Sequence, residues 1–391
     1  MKEILKNLLR PTWFEIDLDA LRHNVQETKR LVGNGVKIIC ALKGNAYGFG
    51  VLEVAKGVIS AGAYGIAVAD LFEAVNLRKR DIKAPILLYA NNLSSAAKTV
   101  IEYNLIPTVS NLNSAQEYSK KASSPLDIFV KVDIGLFRAG VLAEEAVAFV
   151  EKLITLKNIF IRGIYTHFHF SEKDEYVNLQ FNRFKAVLRG LEDKGIDIPI
   201  KMASSTPIIV QFPHTYLNAV DPGRLIYGNQ VVAHPRQQVS LKSVFRSLKA
   251  MIIERKIITP PIEFKDCSPF PVKRDMAIGI LPIGWADGYS RKHSSMGSAL
   301  VHGKRVSVLG KISFEHTRID LTSVPEARIG DEVVLIGKQG DEEITLEEVA
   351  GVRGTDVDEV WFQSVRNHIP RIYIKDGKPY KLETPLWETI I

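Results

Sequence analysis

Hydrophobic and polar residues follow a repeating order along the first part of the chain. Between about residues 14 and 230, short runs rich in β-branched residues are separated by longer segments with helical periodicity. This order is typical of βα units that assemble into a parallel sheet. Eight such runs predict strands near Val36–Leu42, Tyr64–Ala69, Ile86–Tyr89, Ile106–Ser110, Ile128–Asp133, Phe160–His167, Ile200–Ser204 and Leu217–Val220.

The segments between these runs predict helices. The clearest candidates are Leu18–Arg30, Leu71–Arg80, Ala143–Ile154 and Asp174–Lys194. Eight parallel strands with intervening helices favour an eight-stranded (β/α) barrel, whose reactive groups lie at strand ends and in the loops that follow them. A doubly wound open sheet remains the alternative at this point.

The pattern changes after about residue 240, where short strands are separated by turns. The strand candidates there are Ala299–Gly303, Arg305–Leu309, Asp331–Ile336 and Arg371–Ile374. This arrangement is typical of a mostly antiparallel β domain. We therefore predict a barrel over residues 11–240 and a β domain over residues 241–391, with residues 1–10 as a candidate addition to the β domain.

Composition narrows the functional classes. The 391 residues carry a net charge of +7, but lysines and arginines are scattered between acids, which argues against nucleic-acid binding. No apolar run approaches the roughly 18 residues of a membrane helix. Cys40 and Cys267 form neither a disulfide framework nor an array with metal-ligand spacing. The cysteine spacing therefore gives no reason to expect a bound metal. The first residues lack the features of a secretion signal, so we expect a cytoplasmic protein.

Lys43 is the first candidate for chemistry. It ends an apolar strand and is followed by a loop punctuated with glycines. Apolar surroundings lower the pKa of an amine, and a neutral amine can bond covalently to an aldehyde cofactor. On position alone, a solvated lysine at the end of an exposed strand is the favoured interpretation, because most lysines are solvated.

The segment Leu42–Gly50, which reads Leu-Lys-Gly-Asn-Ala-Tyr-Gly-Phe-Gly, resembles the cofactor-lysine motif of the alanine racemase family. Further blocks resemble that family in the same order along nearly the whole chain. They are Trp13–Asp19, Val68–Asp70, Glu73–Ala74, Lys131–Arg138, Gly163–Phe168, Gly284–Tyr289, Gly303–Val306 and Gly330–Gly337.

The resemblance implies a pyridoxal 5'-phosphate enzyme with a barrel, a β domain and a homodimer in which both subunits contribute to each active site. It implies that Lys43 holds the cofactor and transfers a proton, that Tyr47 contacts the phosphate, and that the His167 ring stacks on the cofactor. Lys131 and Arg138 resemble a lysine, often carbamylated, and the arginine that it positions to bind the substrate carboxylate. His169 is a further candidate if its strand continues.

The phosphate site is expected at two further segments. Ser204 and Ser205 match a phosphate-proximal Asn-Ser pair with its first member changed to serine, and their hydroxyls can bind phosphate oxygens. Gly223 matches a backbone amide near the phosphate, and Tyr227 belongs to the same cofactor-binding segment.

Two catalytic positions depart from the family. Asp221 stands where the family has an arginine facing the pyridine nitrogen, unless a local gap gives that position to Arg224. The second position is that of the family's tyrosine, the base that acts on the opposite face of the amino acid. No tyrosine stands there in this chain, and Asp266 or Cys267 is the candidate for the second base. The substrate pocket is also changed, since its usual methionine-aspartate pair becomes Phe314 and Glu315, which are followed by His316.

We expect an amino acid racemase or epimerase that exchanges the α-proton. An aldolase, decarboxylase or eliminase on the same fold is the alternative from another enzyme class, because one base and a protonated ring suffice for those reactions. A homologue that binds the cofactor without turnover is the third possibility.

Overall fold

The structure is a computed structural model that describes residues 2–89, 92–229, 232, 234–258, 269–273, 275–294, 296–364 and 366–384. The chain divides into two compact units. The first contains Ala20–Ala46 and Gly50–Ser243, and the second contains Met1–Asp19, Tyr47–Phe49 and Val244–Ile391. The predicted domain limits, 11–240 and 241–391, remain a proposal, and they differ from these units mainly in where residues 11–19 belong.

The strands are numbered in chain order. They are β1 Thr12–Asp17, β2 Lys37–Ala41, β3 Gly65–Val68, β4 Ile86–Leu88, β5 Ile106–Val109, β6 Leu126–Asp133, β7 Val141–Leu142, β8 Ile159–Tyr165, β9 Ile200–Ser204, β10 Ala219–Val220, β11 Phe245–Met251, β12 Glu254–Ile258, β13 Met276–Leu281, β14 Ser298–Val301, β15 Lys304–Leu309, β16 Thr317–Asp320, β17 Glu332–Gln339, β18 Glu342–Ile344, β19 Arg371–Lys375 and β20 Lys378–Glu383.

The helices include the four that the periodicity predicts. Their bounds are Lys2–Leu5, Leu18–Val32, Val51–Ser60, Leu71–Lys79, Ala97–Glu102, Leu112–Lys121, Ala143–Ile154, Asp174–Glu192, Thr206–Gln211, Leu346–Arg353 and Val357–Ser364. Within the described ranges, none of the helices has both the length and the apolar character that a bilayer span requires.

The first unit contains a closed parallel barrel. Eight strands pair in the order β5-β4-β3-β2-β10-β9-β8-β6, and β5 also pairs with β6, which closes the ring. This closure excludes the open sheet and confirms the predicted barrel, including all eight predicted strand positions. Buried apolar side chains fill the interior, among them Ile39, Phe129, Tyr165 and Met202.

The second unit is built on one large sheet. Its strands follow the order β12-β13-β16-β15-β14-β17-β11-β1-β19-β20, with β18 on the edge of β17. All these neighbours are antiparallel except β1 and β19, which run parallel. Trp13 of β1 is fully buried in a cluster with Ile372 and Ile374 of β19, and Ile4 and Leu8 pack against the same cluster. The mostly antiparallel β domain is confirmed.

Gly163 is required by the packing of the barrel interior. A Cβ atom at this position of β8 would lie 2.3 Å from Cε1 of the buried Phe129 ring. We expect Gly163→Ala to lower the free energy of unfolding by about 1–3 kcal/mol, as overpacked cores do.

Gly351→Ala is the matched control, because Gly351 lies in an exposed part of the helix Leu346–Arg353 with no atom within 4 Å of the added Cβ. This second substitution should be neutral or stabilising by up to about 1 kcal/mol. Urea unfolding of both variants measures the difference. Equal stability of the two variants would contradict this account of the barrel core.

Candidate active site

The carboxyl ends of four barrel strands carry the candidate catalytic groups. Lys43 follows β2, Lys131 lies near the end of β6, His167 follows β8 and Asp221 follows β10. Parallel strands of a barrel all end at the same rim, so these groups share one mouth of the barrel although they are far apart in sequence.

Two tyrosines connect these groups. The Lys43 amine lies 6.0 Å from the centroid of the Tyr89 ring, and the Lys131 amine lies 5.8 Å from the centroid of the Tyr165 ring. The two rings are themselves 6.3 Å apart. The Tyr89 hydroxyl donates a hydrogen bond to Asp221 Oδ2 over 3.4 Å. The structure therefore brings both lysines and the carboxylate into one cluster.

Lys43 has the electrostatic setting of a reactive amine. Burial of the amine lowers its pKa, and the nearby Arg138 and Arg224 lower it further, while Asp221 opposes them. A lowered pKa increases the fraction of neutral amine that can bond to an aldehyde. Lys43 thus combines a position at the barrel mouth with the lowered pKa expected of a cofactor-binding amine.

Asp221 is buried, and its exposed fraction is 6%. Burial raises its pKa to about 7, although Lys43, the Tyr89 hydrogen bond and Lys131 all favour the charged form. Its Oδ1 atom has no hydrogen-bond partner among the described residues. A buried acceptor without a partner is costly, so this atom is suited to a donor supplied by a ligand.

Arg224, the rival for the same role, begins the short 3₁₀ turn Arg224–Tyr227. Its charge reaches Lys43 and helps to lower the pKa of that amine. The structure thus brings both Asp221 and Arg224 near Lys43. It is Asp221 that carries the unpartnered buried atom.

His167 is half-buried at the end of β8. Burial lowers its pKa to about 3, and the charges of Arg138, Lys131 and Lys43 act in the same direction. The ring is therefore neutral at physiological pH. His169 is exposed and lies beyond the end of the strand, so the condition set for its inclusion, a continuing strand, is not met.

Lys131 and Arg138 belong to one strand and the loop that follows it. Burial lowers the pKa of Lys131 to about 8, and Arg138 lowers it further, whereas Asp221 and Asp133 raise it. Arg138 is exposed, yet its charge acts on Lys43, Lys131 and His167. Arg138 is therefore within electrostatic range of the groups at the barrel mouth.

Only some of the protein groups that we expected to bind the phosphate are available to do so. Ser204 is fully buried and its hydroxyl hydrogen-bonds to the carbonyl and the hydroxyl of Thr215, 2.9 and 2.8 Å away. The Gly223 amide donates to Thr206 Oγ1 over 3.1 Å, and the Leu225 amide donates to the same hydroxyl. These long-range bonds, which the sequence pattern does not reveal, use the groups that we expected to face phosphate.

Ser205 retains an available hydroxyl. It precedes the helix Thr206–Gln211, is partly exposed, and its side chain makes no hydrogen bond to the described residues. Tyr227 is buried and its hydroxyl donates to the Ala41 carbonyl over 3.4 Å. Of these two residues, Ser205 is the better candidate for a phosphate contact.

The remaining predicted residues do not belong to the first unit or are not described. Tyr47 lies in the second unit, where its ring stacks on Trp361 and Phe362 at 6.1 and 5.5 Å. Phe314 is 56% exposed in the same unit and packs edge-on against Trp285 at 4.7 Å.

Glu315 and His316 are exposed beside Phe314. Asp266 and Cys267 lie outside the described residues, so their role as a second base remains a prediction.

A left-handed turn follows Lys43. Gly44, Asn45 and Ala46 have φ values of 65°, 54° and 54°. The left-handed region is unfavourable for residues with a Cβ atom, so this turn needs support. The Glu73 carboxylate accepts the Asn45 amide hydrogen, and the Asn45 side chain accepts the amide of Val51 over 2.8 Å. Glu73 therefore stabilises the turn that immediately follows Lys43.

Three further candidates have no role in the sequence analysis. They are Tyr89, Glu73 and Asp133. Tyr89 ends a predicted strand, which is a usable signal for a residue of the barrel mouth. Glu73 and Asp133 lie within the segments that carry the family resemblance. Their hydrogen bonds to loop amides could not be read from those segments.

Comparison with known proteins agrees with this geometry. The family described as alanine racemase, N-terminal domain, matches residues 16–231, and that described as alanine racemase, C-terminal domain, matches residues 248–373. The alanine racemase of Halothermothrix orenii is 37% identical over 373 residues, which cover 94% of this chain and 98% of that protein. The alanine racemase of Methanococcus maripaludis is 36% identical over 93% of this chain and 99% of its own length.

Solved structures give the same result. An alanine racemase from Clostridium difficile 630 has a TM-score of 0.87 and 29% identity, covering 97% of this chain and 99% of its own. The Bacillus anthracis enzyme, solved with bound L-Ala-P, has a TM-score of 0.85 and 30% identity, covering 96% and 98%. The chain therefore belongs to the alanine racemase family, and the predicted pyridoxal-phosphate-dependent amino acid racemase is confirmed.

Proposed function

We propose that the substrate is alanine and that the cluster at the barrel mouth performs the racemisation. The observation that carries this proposal is the pairing of an amine with a lowered pKa, Lys43, and a buried carboxyl, Asp221, whose Oδ1 atom has no partner among the described residues. The relatives named alanine racemase support the choice of substrate.

The residues of the mouth fit pyridoxal 5'-phosphate. The unpartnered Asp221 Oδ1 can accept a hydrogen bond from a protonated pyridine nitrogen, and the Ser205 hydroxyl and the Arg224 charge suit a phosphate. When bound, the cofactor accepts the electron pair that is left when the α-proton of the amino acid is removed. A carboxylate facing the ring favours its protonated form, which is the stronger electron acceptor.

Lys43 would hold the cofactor aldehyde through Nζ, and Nζ would be free to move a proton once the amino group of the substrate has replaced it there. With a lowered pKa, this amine can take the α-proton on one face of the amino acid and return it. His167, neutral because its pKa lies at about 3, offers an uncharged ring for stacking. The Tyr89 hydroxyl holds Asp221 Oδ2, which leaves Oδ1 for the ring nitrogen.

Arg138 binds the substrate carboxylate, since a planar guanidinium can donate two parallel hydrogen bonds and stays charged. Lys131 lies within electrostatic range of Arg138 and is the candidate that positions it. Racemisation also needs a group on the opposite face, for which Asp266 and Cys267 remain the candidates. Phe314 remains the candidate for contact with the substrate side chain.

The same proposal includes a homodimer with shared active sites and a cytoplasmic location. The dimer rests on the resemblance to the family. Sedimentation of the purified protein tests it, because a monomer that is fully active at all concentrations would contradict it.

The proposed reaction predicts α-deuteration with inversion. Purified protein loaded with pyridoxal 5'-phosphate and incubated with L-alanine in deuterated water should give deuterated D-alanine, and D-alanine should give the L enantiomer. Lys43→Ala should lose both the exchange and the yellow absorbance of the lysine-bound cofactor. NMR and chiral chromatography measure the two products.

Other outcomes of this experiment separate the alternatives. Deuteration with complete retention of configuration would favour single-face chemistry, as in an aldolase, decarboxylase or eliminase. Bound cofactor without exchange in any amino acid would favour a homologue that lacks turnover.

Substitutions of Asp221 and Tyr89 should slow α-deuteration to different extents. Asp221→Asn removes the charge that faces the ring nitrogen and should slow α-deuteration by about 100-fold while the cofactor still binds. Tyr89→Phe removes one hydrogen bond to that charge and should slow it by about tenfold. Asp127→Asn, at the solvent-facing start of β6, is the control. The absorbance of the bound cofactor gives a readout independent of turnover, and wild-type spectra and rates in Asp221→Asn would refute the assignment.

The charges around Lys43 predict opposite shifts in the pH dependence of cofactor attachment. Arg138 lowers the pKa of Lys43 and Asp221 raises it. Arg138→Gln should therefore raise that pKa and move the pH midpoint of attachment upwards, whereas Asp221→Asn should move it downwards. Stopped-flow absorbance across a pH series measures both midpoints. Shifts in the same direction for the two variants would contradict this electrostatic account.

A further inference from the structure

Asp133 ends β6 and accepts four backbone hydrogen bonds. Its Oδ1 atom accepts the amide hydrogens of Gly135, Leu136 and Phe137 at 2.8, 2.8 and 3.2 Å, and its Oδ2 atom accepts that of Arg138 at 2.9 Å. The carboxyl is 4% exposed. These four bonds hold the pKa of the group below its ordinary value despite its burial.

The backbone of this loop would not hold its shape unaided. Gly135 has a φ of 127°, and Phe137 has a φ of 52°, in the left-handed region that residues with a side chain rarely adopt. The Phe137 ring is 83% exposed, so packing of that ring does not supply the stabilisation. The carboxylate is therefore the group that makes this conformation favourable.

The loop is also closed tightly on the other side. A Cβ at Gly140 would lie 2.9 Å from the Asp133 amide nitrogen and 3.1 Å from its Cβ, so the chain returns directly over the end of the strand. Arg138 lies within this closed loop, and its charge lowers the pKa of Lys43, Lys131 and His167. The direction of the guanidinium thus depends on a loop that is organised around one carboxylate.

We propose that Asp133 is a positioning residue for amino acid binding: it fixes the loop 134–138 so that the Arg138 guanidinium is directed at the substrate carboxylate. This inference rests on the proposed role of Arg138. It assigns the carboxylate a function separate from the cofactor site, because none of its four bonds reaches Lys43, Asp221 or Ser205.

The test uses the holoenzyme with Asp133→Asn and Asp133→Ala. Asparagine keeps one acceptor oxygen but turns its carboxamide NH2 donor towards a backbone amide, and alanine removes all four bonds. Asp127→Asn is the matched control, since Asp127 is the second residue of the same strand and pairs with Arg162 at the surface.

We expect the affinity for alanine to weaken by about tenfold in Asp133→Asn and by about 100-fold in Asp133→Ala, as a small displacement of a binding group can do. The change in cofactor absorbance on titration with alanine measures this affinity without requiring turnover. The affinity for pyridoxal 5'-phosphate should stay within about twofold of the wild type, and KM should rise more than kcat falls. Hydrogen exchange at residues 135–138 should accelerate in the same order.

Two outcomes would overturn the inference. Wild-type affinity for alanine in both Asp133 variants would show that the loop is not needed, and a parallel loss of cofactor affinity would show general damage to the barrel. Failure of the proposed function is distinguishable, because the wild type would then bind alanine without exchanging its α-proton.

Discussion

The chemistry at the barrel mouth depends on one carboxyl buried among cations. Asp221 interacts electrostatically with Lys43 and Lys131, and Arg138 and Arg224 act on the same Lys43 amine. Burial opposes charge on both Asp221 and Lys43, while their mutual attraction favours it. The outcome is an acid whose pKa is raised to about 7 beside an amine whose pKa is lowered. Two groups prepared in this way can exchange protons with a ligand near neutral pH.

Barrel closure makes this cluster possible and also explains why it could be anticipated from sequence. Hydrophobic runs locate the strands, and a parallel barrel places every strand end at one rim. The family resemblance then singled out Lys43, His167 and Asp221 among the residues at those strand ends. Hydrogen bonds across the chain could not be anticipated in this way. Ser204 is engaged by Thr215 and the Gly223 amide by Thr206, because side-chain direction after the strand is decided by packing rather than by periodicity.

The N-terminal strand illustrates the same limit at the level of the fold. The sequence does not reveal its partners, since β1 pairs with β19, more than 300 residues away, and with β11 rather than with the barrel. By β propensity alone, a short strand could join the barrel or the sheet of the second unit equally well. The burial of Trp13 against Ile372 and Ile374 decides the matter, and that contact depends on residues at the other end of the chain.

Two carboxylates outside the reacting cluster show how the fold supports it. Glu73 and Asp133 each accept backbone amides of a loop that immediately follows a strand, and each loop contains left-handed residues. In both cases the loop begins or carries a cation of the mouth, Lys43 or Arg138. A charged acceptor offsets the cost of the unusual backbone, so the positions of these cations are set by acids that bind the loop backbone. The positive charge that an anionic cofactor and substrate need is therefore held in place before either binds, which reduces the ordering cost of binding.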